Sequence, residues 1–272
     1  MPKTPRARTT DESAAHQITL ARRRLEEPGW VISSLDWVGG KAETLLNWLP
    51  GIFRRVLDKL GTWALRRALF FALTTINVGS RKKPSPKTHT LLTMISGALG
   101  GSLGWLTMII ELPFTTVLML RGIADIARSE GEDLSLVEAR IACLSVFGMT
   151  KGKQGEGGAQ WRFFATRSAI QELLKEASKV ATKRGLAART APVMVRLMSK
   201  IAARFGVVIS EKAVAQSIPV VGILGGAAVN GLITHHYLNL ARGYFTLRRL
   251  EREHGEAFVQ AHYQTEPSKL KA

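Results

Sequence analysis

Residues 91–120 read LLTMISGALGGSLGWLTMIIELPFTTVLML, and the pattern of this stretch decides the fold. No charged residue occurs in residues 91–110, and twenty apolar-rich residues in a helix match the hydrocarbon thickness of a bilayer. Glu111 interrupts the run, Pro113 follows, and apolar character resumes to Leu120. A second stretch, residues 213–241, holds no Asp, Glu, Lys or Arg across 29 positions. The two share the pattern GxLGG, at Gly97–Gly101 and at Gly222–Gly226. Small residues four apart let helix backbones approach closely. Gly97 with Gly101, Gly100 with Gly104, and Gly222 with Gly226 supply that spacing, so the two segments could pack on each other as a pseudo-repeat, although chance similarity between Gly-rich helices is the favoured explanation of the shared pattern.

Outward from this stretch the spacing stays helical. In residues 45–65 the apolar positions Leu45, Leu49, Ile52, Phe53, Val56, Leu57, Leu60 and Trp63 repeat with a period of 3.6 residues. Residues 14–25 form a shorter helix carrying Arg22, Arg23 and Arg24 and ending before Pro28-Gly29. Further helices are expected over 121–128, 134–149, 163–184, 192–205 and 242–259. No run alternates apolar and polar residues long enough for a sheet. The fold class is therefore all-α, a multi-helix domain around two long apolar Gly-rich segments, with membrane association expected.

Composition shifts divide the chain into a disordered arm over 1–12, an amphipathic Trp- and Arg-rich helical region over 13–85, a helical core over 86–259, and a tail over 260–272. The basic, Pro-containing hinge 81–87 and the loop KGKQGEGG at 151–158 mark boundaries. The 38 Lys and Arg against 21 Asp and Glu give a net charge of +17, which points to an anionic partner. The lone cysteine, Cys143, excludes an intramolecular disulfide framework and is expected to be a buried thiol. Charge flanking the two apolar segments argues against two clean membrane crossings and favours peripheral or monotopic attachment. The expected location is the cytoplasmic side of the inner membrane, with the cytoplasm as alternative.

Polar residues within apolar runs are the candidate functional positions. A carboxylate at Glu111 costs several kcal/mol unless paired or solvated. Its ordinary explanation is a helix start, where the dipole favours a negative charge. Asn230, His235, His236 and Arg242 form the matching set on the later segment, and Asn230 or His235 could hydrogen-bond Glu111 if the segments pack. His235 and His236 lie about 100° apart around a helix and cannot chelate one metal together. Arg121 is placed one turn from Asp125 as an ion pair. Arg167 is placed opposite Glu172 or a carboxylate from another helix. Gly100-Gly-Ser102-Leu-Gly104 fits a nucleophile-elbow pattern but lacks the strand that motif requires. The loop 151–158 fails as a phosphate-binding loop, and no metal-ligand set or cofactor motif occurs.

From Glu111-Leu-Pro-Phe-Thr-Thr116 onward the sequence resembles the EcsC family of bacterial proteins. The similarity runs through Met119, Arg121, Ile126-Ala127, Gly131, Val146-Phe147 and Phe164-Ala-Thr-Arg167. It resumes at Ile218-Pro-Val-Val-Gly222, Gly226, Asn230, Ala241, Phe245, Arg249-Leu-Glu251 and Gly255, and spans about residues 96–255. The sequence departs from the family pattern at the loop 151–158 and at Trp161. The resemblance implies a helical protein associated with membranes, linked by gene neighbourhood to an ABC transporter, with no defined reaction.

The expected function is that of a non-enzymatic membrane-associated accessory protein, with anionic membrane lipid and ABC transporter subunits as partners and no cofactor. Two alternatives stand beside it. One is a membrane-embedded hydrolase using Glu111 with His235 or Ser102. The other is a basic nucleic-acid-binding protein, which the interleaving of acids among the basic helices and the lack of a recognition signature disfavour.

Overall fold

The computed structural model describes residues 5–26, 63, 86–102, 108–149, 163–164, 167–168, 170–172 and 222–264. Among these residues all regular structure is helical and there is no strand. The axis of the fold is a 33-residue helix, Gly222–His254, about 50 Å long at 1.5 Å per residue. In chain order the helices are α1 (Pro5–Glu26), α2 (Pro86–Ser102), α3 (Met108–Ser129), α4 (Val137–Ser145), α5 (Gly222–His254) and α6 (Glu256–Gln264).

The long helix forms because its buried positions recur at three- and four-residue steps: Val229, Ile233, Tyr237, Leu240, Tyr244 and Leu247. Around them sit Phe147, Phe163, Phe245 and Tyr263, all fully buried. Their rings meet edge to face, Phe147 with Tyr237 at 5.0 Å and Phe163 with Tyr244 at 5.5 Å between centroids, the arrangement that the ring quadrupoles favour. A smaller stripe on α1, Ala14, Ile18, Ala21 and Leu25, is likewise buried. The approach of α1 to α5 is close. A Cβ at Gly243 would stand 2.8 Å from the Ala21 carbonyl oxygen.

Two glycines end helices in the left-handed conformation that other residues adopt at a cost. Gly131 (φ 83°) closes α3, with the Glu132 amide donating to the Ala127 carbonyl and the Gly131 amide donating to that of Arg128. That pair of bonds is a Schellman cap. Gly255 (φ 88°) separates α5 from α6.

Several expected boundaries move. α1 begins at Pro5, so residues 5–12, expected as an arm, are helical. The uncharged stretch 91–110 is shared between α2 and α3 instead of forming one helix. Expected helix 134–149 shortens to α4 followed by a 3-10 turn at Val146–Gly148. The charged terminal helix expected over 242–259 is the end of α5, and α6 carries helix on to Gln264, into the expected tail. Among the described residues, no helix is long and apolar enough to cross a membrane. The amphipathic segment 45–65 (apart from Trp63), the loop 151–158, the segment 192–205, most of 163–184, and Gly104 lie outside the described residues.

Candidate functional site

The strongest polar feature lies where α2, α3 and α5 meet. Glu111 stands in the first turn of α3, where the helix dipole favours a carboxylate. Two residues later, Pro113 donates no hydrogen bond to the carbonyl one turn back, which loosens this end of α3. Asn230 Nδ2 donates to Glu111 Oε1 at 2.6 Å and to the Thr93 carbonyl of α2 at 2.9 Å. Thr234, one turn on from Asn230, donates to Thr93 Oγ1 at 2.9 Å, and Thr93 Oγ1 donates to the Thr90 carbonyl at 2.8 Å. Glu111 is 6% exposed and Asn230 3%. One amide thus joins three helices.

The partner that Glu111 finds is Asn230, not His235. His235 follows Asn230 by five residues, which turns it about 140° around α5. It is exposed and bonds within its own helix, Asn239 Nδ2 to His235 Nε2 at 2.8 Å. Glu111 and His235 therefore form no catalytic dyad in this arrangement. Ser102 is the last residue of α2. Among the described residues, no three His, Cys, Asp or Glu side chains gather into a metal-binding group.

The polarity of α2 is inverted. Thr93 and Gly97 are buried against its neighbours, and His89 is half-buried with its Nε2 2.9 Å from Asp125 Oδ2 of α3. The opposite face carries Leu91 (57% exposed), Leu92 and Ile95 (50%), while Met94 at its edge packs on Gly231 of α5. Phe114 on α3 is also exposed, at 55%, and Arg121 lies seven residues on, along the same exposed stripe. Such a cluster of outward apolar side chains is unusual on a surface that meets only water.

Charge gathers at the other end of α5. Glu132, in the turn after α3, is bonded by Arg248 Nε at 2.9 Å and Nη2 at 3.2 Å, and by Arg252 Nη1. Burial would raise its pKa, but the bonds and charge of Arg248, then of Arg252, outweigh it and hold the carboxyl below its ordinary value. Arg249 reaches Glu130 at 2.7 Å and Gln17 of α1 at 2.7 Å. Arg167 bridges the Gly255 break, with Nη1 2.5 Å from Glu251 of α5 and 2.9 Å from Glu256 of α6. The carboxylate that Arg167 meets is thus on another helix, and not Glu172. Burial, the largest influence, pushes Glu251 up to about 7; Arg167 opposes it, and Glu256 adds to it.

The remaining residues singled out in the sequence are placed as follows. Asp125 pairs across helices with His89 and along its own helix with Arg128 at 3.6 Å. Gly97 is buried in α2, which also contains Gly101, while Gly222 and Gly226 lie in the first turns of α5. Close approaches are also seen at Gly122, Gly231 and Gly243, which the four-residue spacing did not select. Cys143 is buried, which raises its thiol pKa well above the ordinary range.

No curated protein and no solved structure matches the chain. The model of the EcsC protein family matches residues 72–250. That match takes in the polar junction of Thr93, Glu111 and Asn230, the inverted face of α2 and most of α5, and the chain belongs to the EcsC protein family.

Proposed function

We propose that this chain is a non-enzymatic helical accessory protein that attaches to the cytoplasmic face of the inner membrane, peripherally or as a monotopic protein, through anionic lipid. The observation that carries the reading is the inverted helix α2, whose Thr93 faces the protein and whose Leu91, Leu92 and Ile95 face outward, with Phe114 of α3 beside them. Moving a half-exposed aliphatic side chain into hydrocarbon gains about 1 kcal/mol. Four or five together suffice for reversible attachment when electrostatic attraction adds to them. The net charge of +17 supplies that attraction. The alternatives draw less from the geometry. Glu111 bonds Asn230 while His235 bonds within its own helix, and an apolar outward face serves no purpose on nucleic acid. Service to a transport or export system follows from the family resemblance.

Flotation with vesicles tests the reading. The full chain is expected to rise with vesicles containing anionic phospholipid, and Leu91→Ser with Ile95→Ser is expected to weaken the association at least tenfold. A protein that stays at the bottom of the gradient with every vesicle composition overturns the reading.

A further inference from the structure

We infer that the polar stripe His235–Asn239–Arg242 of α5, with Arg24 of α1 beside it, receives the phosphate of an anionic phospholipid whose acyl chains meet the outward face of α2. The inference rests on the membrane reading above and names the residues that select the lipid.

Positions 235, 239 and 242 are spaced four and three apart, so they line one side of α5. Arg242 Nη1 donates to Asn239 Oδ1 at 3.1 Å, and Asn239 Nδ2 meets His235 Nε2 at 2.8 Å. With the Asn239 amide donating, Nε2 is the accepting nitrogen. The chain of bonds holds the guanidinium in place while using one of its five N–H groups.

The charge here is unlike the charge elsewhere on α5. Arg248, Arg249 and Arg252 each hold a carboxylate, as do Arg22 of α1 and Arg167. Among the described residues, neither Arg242 nor Arg24 has a carboxylate within ion-pair distance. Arg24 is held against α5, its Cβ 3.3 Å from where a Cβ of Gly243 would stand. Arg24 and Arg242 thus flank the same contact, near enough for the charge of one to act on the other. Burial, and then the neighbouring charge of Arg24, hold Arg242 below its usual pKa. Two cations side by side without a counter-charge are stabilised by an anion, and a guanidinium fork matches the geometry of a phosphate.

The apolar face lies at the right place to make that anion a lipid. Met94 of α2 rests on Gly231 of α5, whereas His89 and Leu238 both close on Gly122. The two helices are therefore antiparallel, with Leu91 near the level of His235. Arg242 is then about 10 Å further along the axis, at 1.5 Å per residue, beyond the start of α2. A phosphate held at Arg242 and Arg24 leaves its acyl chains free to lie toward Leu91, Leu92 and Ile95.

The test compares the full wild-type chain with Arg24→Gln/Arg242→Gln and with Arg24→Lys/Arg242→Lys, folding being checked by helical circular dichroism. Probes are vesicles of phosphatidylcholine alone, and of phosphatidylcholine with phosphatidylglycerol. The expected result is a preference for the anionic vesicles that falls about tenfold in the Gln variant and is largely kept in the Lys variant. Leu91→Ser/Ile95→Ser lowers binding to both kinds of vesicle. Wild-type binding to anionic vesicles that is unchanged in the Gln variant overturns this inference and leaves the membrane reading standing. Absence of wild-type binding to either vesicle overturns both. Stabilisation by inorganic phosphate, or binding to duplex DNA, that is lost in the Gln variant while vesicle binding is kept also overturns it.

Discussion

The two halves of α5 join their neighbours by different chemistry. The first half meets α2 and α3 through an amide, hydroxyl groups and a glycine: Asn230, Thr234 and Gly231 against Thr93, Glu111 and Met94. The second half meets the turn after α3 through arginines on glutamates, above a floor of Tyr237, Tyr244, Phe245 and Phe147. In the first, polarity is turned inward and apolar side chains face out. In the second, rings are inside and charges ring the edge, as in a protein surrounded by water. One continuous helix thus packs by two kinds of chemistry, and the difference is set by what each neighbour offers it.

If the second half depends on its ion pairs, the largest effect follows from Glu132→Ala. Arg248 and Arg252 lose a shared buried carboxylate, and a loss of about 3 kcal/mol is expected, read as a lower urea midpoint. An unchanged midpoint would place the stability of this end in the aromatic floor alone. In the first half, Asn230→Ala removes the donor to both Glu111 and Thr93 and is expected to cost about 2 kcal/mol. Asn230→Asp should be worse, because it brings a second carboxylate to Glu111. If both variants unfold with the wild-type midpoint, the junction is not what joins these three helices.

Glycine packing separates the halves more finely. At Gly243 a methyl would strike the Ala21 carbonyl oxygen at 2.8 Å and Leu25 Cγ at 2.9 Å, and backbone cannot swing aside. Gly243→Ala is expected to lose about 1–2 kcal/mol even after its gain in helix propensity. At Gly231 the methyl would meet Met94 Cγ at 2.8 Å, the flexible side chain of a partly exposed residue. Gly231→Ala should therefore be close to neutral, and thermal melts of the pair give the contrast directly.

A separate effect, in pH dependence, is expected at the Gly255 break. Glu251 titrates near 7 in the folded chain and near its ordinary 4.5 when unfolded. Between those values the folded state keeps a proton that the unfolded state has lost, so this group makes stability decline as pH rises. Glu251→Gln should remove that slope. Arg167→Gln should extend it to higher pH, because the nearest cation opposing the shift is gone. Urea midpoints measured across the window decide both, and a slope unaffected by either change would assign it to other groups.

Much of this was readable in the chain itself. Glu111 and Asn230 stood out because each interrupts a charge-free run, and a polar group in such a run must find a partner or be useful. Helix within α1, α3 and α5 was legible, as was the stop of α3 near Gly131, but the bounds of α1 and α5 were not. Thr93 and Thr234 passed unnoticed, since threonine is common in apolar helices and its bond depends on the partner. The Gly255 break was missed because the charged residues on either side continue a helical pattern through it.

What the sequence determined by itself is the helical class, the two charge-free segments and the polar residues set within them, because periodicity and composition are local properties. Only the tertiary structure decided which face of α2 is turned inward. In a helix with leucines and threonines on its faces, hydropathy sums give the same answer whichever side is buried, and the choice is made by Asn230, Thr234 and Glu111 offering hydrogen bonds to one side. The same holds for the basic residues. Arg248 and Glu132 stand 116 positions apart in the chain, and, among the described residues, folding alone sorts the arginines that hold a carboxylate from Arg24 and Arg242, which do not.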